Sequence, residues 1–113
     1  MHAWGLDVEE LGEGTVLLAP HGELDLAHAY AFDEQLRRVE RRSPRCVVID
    51  LRDLNFLDSC GLSRLLAARR RARRAGHRLV LVRGSAVVQR LLQAAALDDV
   101  FELVTDPPRP VHA

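Results

Sequence analysis

Asp58, Ser59, Cys60 and Gly61 set a carboxylate, a hydroxyl, a thiol and a position without a side chain next to one another. Serine is among the preferred residues for accepting the free N–H groups of a helix start, so the residues by themselves assign Ser59 to an N-cap. Asp58 beside it suits a turn or capping carboxylate. No second carboxylate or histidine stands at a spacing that would make it a general acid or base. A helix N-terminus lowers a thiol pKa, which raises Cys60 as a nucleophile. No histidine lies close to it in sequence, and a small, buried or half-buried residue is the favoured reading. A catalytic constellation is absent, and the chain does not read as an enzyme.

Two elements of different period must hold this turn. Cys46 to Leu51 is an almost uninterrupted apolar run rich in β-branched residues, the pattern of a strand covered on both faces. After a break at Arg52 to Leu54 and the turn itself, Leu62, Leu65, Leu66, Ala68 and Ala72 recur at helical intervals. A strand feeding a helix through small residues puts the turn at a sheet edge, where open α/β sheets bind ligands and partners. Gly76 follows as the C-cap. Leu79 to Val82 is a second apolar strand, so strand, helix and strand form a parallel βαβ unit.

The flanking segments complete an α/β pattern. Leu6 to Glu9 alternates as an edge strand, Gly12-Glu13-Gly14 marks a turn, and Thr15 to Ala19 returns as the second arm of a hairpin. Pro20-His21-Gly22 is expected to break or bend that arm, and Asp25 to cap the next helix. In this helix Ala29, Phe32, Leu36 and Val39 share one face, with Asp33, Glu34, Arg37 and Arg38 elsewhere. Ser43-Pro44 ends it. Ser85 is expected to cap a third helix with the stripe Val88, Leu91, Leu92 and Ala95, and Val100 to Val104 to form a last strand. The fold expected is a mixed sheet of four or five strands with a central parallel βαβ unit and three to four helices, mainly on one face. Residues 1–105 form the domain and 106–113, with three prolines, a loose tail.

Composition excludes several classes. The 113 residues are 48% hydrophobic, enough for a core, and no apolar run approaches the roughly 20 residues of a membrane span. The N-terminus lacks the basic and apolar regions of a signal peptide, so a cytoplasmic location is expected. Sixteen basic residues, every one arginine, balance sixteen acidic ones. This neutrality disfavours nucleic acid and anionic membranes as partners, and Arg69 to Arg74 reads as a solvated helix face. The five histidines do not pair at i, i+3 or i, i+4, so neither a metal nor another cofactor is expected. Cys46 and Cys60, at opposite ends of a strand, are too far apart for a disulfide.

The element order, with Gly22-Glu23-Leu24-Asp25 early and Asp58-Ser59-Cys60-Gly61-Leu62 in the middle, resembles the STAS-domain anti-sigma-factor antagonists of bacteria. The resemblance covers about Leu6 to Val104. It implies a binding module whose unphosphorylated form holds an anti-sigma factor, often itself a serine kinase, and so frees a sigma factor. Ser59 matches the family's phosphoacceptor, and a PP2C-type phosphatase removes the phosphate. The implied partner surface comprises Asp58, Ser59, Cys60, Gly61, Leu62 and Ser63, joined by Glu23 and Asp25, on a monomer or weak dimer. Cys60 replaces the usual Ser or Thr, and Ser63 the usual Gly. An accessory STAS subunit of a transport or sensory complex, unphosphorylated, is the alternative.

Overall fold

The computed structural model describes residues 3–108. Its elements follow in the order β1 (Gly5–Gly12), β2 (Thr15–Leu24), α1 (Ala29–Glu40), β3 (Cys46–Asp50), β4 (Leu54–Leu57), α2 (Ser59–Ala75), β5 (Arg78–Val82), α3 (Ala86–Ala94) and β6 (Glu102–Val104). The sheet runs β1-β2-β3-β5-β6, with β4 paired to β2. Only the β1–β2 hairpin is antiparallel; β3, β4, β5 and β6 all join in parallel. The expected mixed α/β architecture and the parallel β3–α2–β5 unit are present. Of the tail expected at 106–113, Asp106 to Pro108 are in neither helix nor strand, and 109–113 lie outside the described residues, as do His2 and His112.

The sheet holds one strand more than expected, and its placement decides the site. β3 pairs with β2 from Thr15↔Cys46 to Leu18↔Ile49, and β4 then pairs from Gly22↔Leu54 to Leu24↔Leu57. The chain thus leaves β2 for four residues, Asp50 to Asp53, and rejoins it further along in the same direction. In β4 only Leu54 and Leu57 are buried, while Asn55 and Phe56 are exposed. That spacing of three hides the period of two by which a strand is read. The rejoining also corrects the expected break at Pro20-His21-Gly22. β2 runs unbroken to Leu24, with Pro20 opposite Leu6 of β1 and a bulge between Gly22 and Glu23. Pro20, which has no N–H to donate, falls where β2 has left β3 and not yet met β4.

All three helices bury their apolar stripes on one face of the sheet. Phe32, Leu36 and Val39 of α1, Leu65 and Ala68 of α2, and Val88 and Leu92 of α3 share one core with Leu18, Leu24, Val47, Ile49 and Leu81. Leu17, Cys46, Val48, Val80 and Val82 form a smaller cluster on the alternate strand positions. Gly76, in the left-handed region at φ 80°, closes α2 as expected, its N–H donating to the Ala72 carbonyl. The Ser85 hydroxyl accepts from Val88 N and caps α3.

Asp33 departs from the expected polar face: it is buried at 7% exposure. Arg37 Nε donates to its Oδ2 at 3.0 Å, Arg71 to its Oδ1 at 3.2 Å, and Arg64 stands 3.7 Å away. Arg71 also donates to Glu40 at 2.7 Å. Arg71 is therefore part of the α1–α2 seam, with 18% of its side chain exposed, and not of a solvated face. Arg69 reaches the Val100 carbonyl at 3.0 Å, so it ties α2 to the turn before β6. Arg70, Arg73 and Arg74 remain exposed. The run of arginines divides by helical angle into ties and surface.

His77, just beyond the α2 cap, is held below the ordinary histidine range, chiefly by burial; Glu40 opposes this shift and Arg71 adds to it. A base whose folded pKa is depressed binds its proton more readily unfolded. Its stability contribution is therefore present above about pH 6.5 and is lost as pH falls through the depressed folded value. Denaturant unfolding of the wild type and His77→Gln across that window should show a shallower loss of stability for the variant.

Candidate functional site

The turn after β4 is built around one carboxylate. Asp58 is the N-cap of α2, and its Oδ1 accepts from Cys60 N at 2.9 Å and Gly61 N at 3.1 Å. Its Oδ2 accepts from Leu26 N, in the loop after β2, at 3.1 Å. The Asp58 backbone N–H donates to the Leu24 carbonyl at 3.2 Å, and its carbonyl accepts from Leu62 N at 2.9 Å. One residue thus starts the helix, ends the β2–β4 ladder and fixes the β2–α1 loop. The capping reading of Asp58 holds, and that of Ser59 does not. Ser59 is the first helical residue, is exposed, and leaves its hydroxyl outside the cap.

The small residues around it serve close packing as well as access. Gly61 is buried, and a Cβ there would lie 2.3 Å from the Leu24 carbonyl oxygen. The first turn of α2 is pressed against the end of β2, and only glycine fits. Leu62 and Cys60 are half-buried and Ser63 exposed, so Ser59 and Ser63 form the open part of the turn.

Glu23 and Asp25 lie on the neighbouring segment, brought alongside by the Leu24–Asp58 and Leu26–Asp58 bonds. Asp25 does not cap α1, whose N-cap position is His28, without a side-chain bond. The Asp25 carboxylate instead accepts from His28 N at 3.2 Å and lies 2.9 Å from His28 Nδ1, which also meets the Glu23 carbonyl at 3.0 Å. The His28 ring stacks on Trp4 at 4.9 Å between centroids and 9° between planes. An extra turn at 26–28 delays the helix, and Asp25 caps that turn. Two exposed apolar residues of the segment after β2 escaped the sequence reading: Leu26, bonded to Asp58, is 76% exposed and Tyr30 75%. Their signal is that they are apolar yet fall off the Ala29–Phe32–Leu36–Val39 stripe.

Among the described residues no cluster of three histidines, cysteines or carboxylates could hold a metal ion, and no helix is long and apolar enough to cross a membrane. What the turn offers is a free hydroxyl on a rigid, capped helix start, flanked by small residues at a sheet edge. The model of the STAS domain matches residues 8–109. The chain belongs to the STAS domain family. The anti-sigma-F factor antagonist RsfB of Mycobacterium tuberculosis is 36% identical over 90 residues, covering 80% of this STAS chain and 73% of RsfB. The crystal structure of an anti-sigma factor antagonist from Mycobacterium paratuberculosis superposes with a TM-score of 0.83 at 27% identity, covering 92% and 87% of the two chains. SpoIIAA in its unphosphorylated form shares the fold with a TM-score of 0.77 at 20% identity over 90% of each chain. Its phosphorylated form, from Bacillus, gives 0.70 at 19% over 90% and 93%.

Two outcomes follow for the site. Asp58→Ala removes the cap, worth about 1–2 kcal/mol, and leaves Leu26 N unpaired as well. Gly61→Ala drives a methyl into the Leu24 carbonyl and should cost about 1–3 kcal/mol. Denaturant midpoints at constant slope measure both. The two free cysteines should also separate under a thiol reagent. Cys46, buried in β3 with its thiol pushed up chiefly by burial, should react far more slowly than half-buried Cys60 until the protein unfolds.

Proposed function

We propose that this STAS domain is an anti-sigma-factor antagonist, a binding module and not an enzyme, whose unphosphorylated form sequesters an anti-sigma factor. The observation that carries this reading is the 36% identity to the antagonist RsfB across 80% of the chain. In this reading Ser59 is phosphorylated by a serine kinase, which can be the anti-sigma factor itself, and a PP2C-type phosphatase restores the binding form. The partner surface is Asp58 to Ser63 with the adjoining loop at Glu23 to Asp25.

The local geometry supports a switch that acts through charge. The N–H groups of Cys60 and Gly61, which a phosphate on a helix start would seek, are already occupied by Asp58. A phosphate on Ser59 brings about −1.5 to −2 charges beside that carboxylate and finds both of those donors taken, with the N–H of Ser59 itself left to it. It therefore projects outward and leaves the fold as it is. A docking partner must desolvate both charges, and an unpaired charge buried in an interface costs about 2–5 kcal/mol. The switch acts by blocking association, not by refolding.

Ser59→Ala should keep the stability and partner binding of the wild type and accept no phosphate. Ser59→Asp should fold and bind the anti-sigma factor at least about tenfold more weakly, as one unpaired charge at an interface demands. Incubation with the cognate kinase and ATP, phosphopeptide mapping and calorimetric titration test this. Phosphate on another residue, or equal affinity of the phosphorylated form, defeats the mechanism.

A further inference from the structure

A second surface lies along the exposed side of the α1–α2 seam. A groove of about 490 Å³ is lined by Tyr30, Asp33, Glu34, Arg37 and Arg41 along one face of α1 and by Arg64 of α2. The spacing of the α1 residues, i, i+3, i+4, i+7 and i+11, makes this a continuous stripe. Its carboxylates are already engaged. Asp33 is held by Arg37 and Arg71, and Glu34 accepts from Arg38 at 3.2 Å. Its guanidiniums keep donors to spare. Arg37 uses only Nε, Arg64 stands 3.7 Å from Asp33 without a hydrogen bond, and Arg41 has no ion-pair partner among the described residues. In a chain of zero formal net charge, this local surplus of unspent forked donors is a departure.

The groove shares its elements with the Ser59 turn, since Arg64 stands on α2 five residues after Ser59. Leu26, whose N–H is bonded to Asp58, and Tyr30, at the groove, are the two most exposed large apolar side chains described. An exposed tyrosine beside arginines is the composition of an interface anchor.

We infer that the Tyr30–Arg37–Arg41–Arg64 groove is a second docking surface, which takes an acidic segment of the protein that covers Ser59. This rests on the antagonist reading for the partner's identity, while the chemistry of the segment comes from the groove. Spaced carboxylates can pair with Arg37, Arg41 and Arg64 while avoiding Asp33 and Glu34 between them. A nucleic-acid backbone, with its unbroken line of phosphates, would have to pass over both carboxylates. The groove supplies orientation and on-rate, and the Ser59 turn supplies the switch.

Two measurements on the full chain test it. In the first, ¹⁵N-labelled protein is titrated with a hexaglutamate peptide, and amide shifts should concentrate at Tyr30, Arg37, Arg41 and Arg64. In the second, Arg41→Glu with Arg64→Gln is compared with the charge-matched pair Arg70→Glu with Arg74→Gln, both checked for wild-type unfolding midpoints. The groove pair should bind the anti-sigma factor about tenfold or more weakly near 0.1 M salt, with a reduced salt dependence, and the control pair within about twofold of wild type. No groove shifts with hexaglutamate, equal shifts at Arg70 to Arg74, stronger groove shifts with a single-stranded oligonucleotide, or unchanged partner affinity in the groove pair each overturn the inference. A wild type that binds no anti-sigma factor while hexaglutamate still titrates the groove defeats the antagonist reading and leaves the groove's chemistry standing.

Discussion

The Asp58 carboxylate accepts three backbone N–H groups from two segments distant in sequence. Each would otherwise be an unpaired donor, and the two at the helix start are among the four that no α-helix can satisfy internally. Carboxylate acceptors make stronger hydrogen bonds than neutral ones, and the helix dipole favours the negative charge at that end. The start of α2, the end of the β2–β4 ladder and the entry to α1 therefore share a single anchor. Gly61 then sets how close α2 comes, because its missing Cβ is what lets the Leu24 carbonyl approach.

This division of labour makes Ser59 available. Had Ser59 been the cap, its hydroxyl would have been tied to the helix it opens, and modification would have removed a stabilising bond. With Asp58 as cap, Ser59 occupies the first helical position, exposed and outside the cap. A charge can then be added and removed there without altering the scaffold. In the proposed mechanism stability and switching are carried by adjacent residues, and a switch that must reset repeatedly benefits from that separation.

The seam between α1 and α2 rests on different physics. Asp33 is buried only because Arg37 and Arg71 donate to it, and Arg71 simultaneously holds Glu40. A half-buried network of this kind contributes less net stability than its bonds suggest, because each charge gave up water to enter it. Its effect is to fix the register of the two helices and to aim the remaining guanidiniums outward. The scaffold behind them is the apolar core shared by all three helices, which supplies most of the stabilisation.

Periodicity by itself determined β3, β5, the three helices and most of their buried stripes, Ala95 at the end of α3 being exposed instead, because an element covered by a core must repeat its apolar residues at its own pitch. The caps Gly76 and Ser85 were legible for the same local reason. So was the prominence of Asp58 to Gly61, since small and polar residues between a strand and a helix have few other uses. Only the tertiary structure decided the rest. β4 has no alternation to read, because its ladder to β2 is a rejoining across a bulge. That the Asp58 carboxylate also holds the N–H of Leu26, 32 residues away in the chain, could not be read from the residues around the turn. Asp33 and Arg71 look like surface residues until two helices meet, for a charge is buried only where its partner arrives from elsewhere.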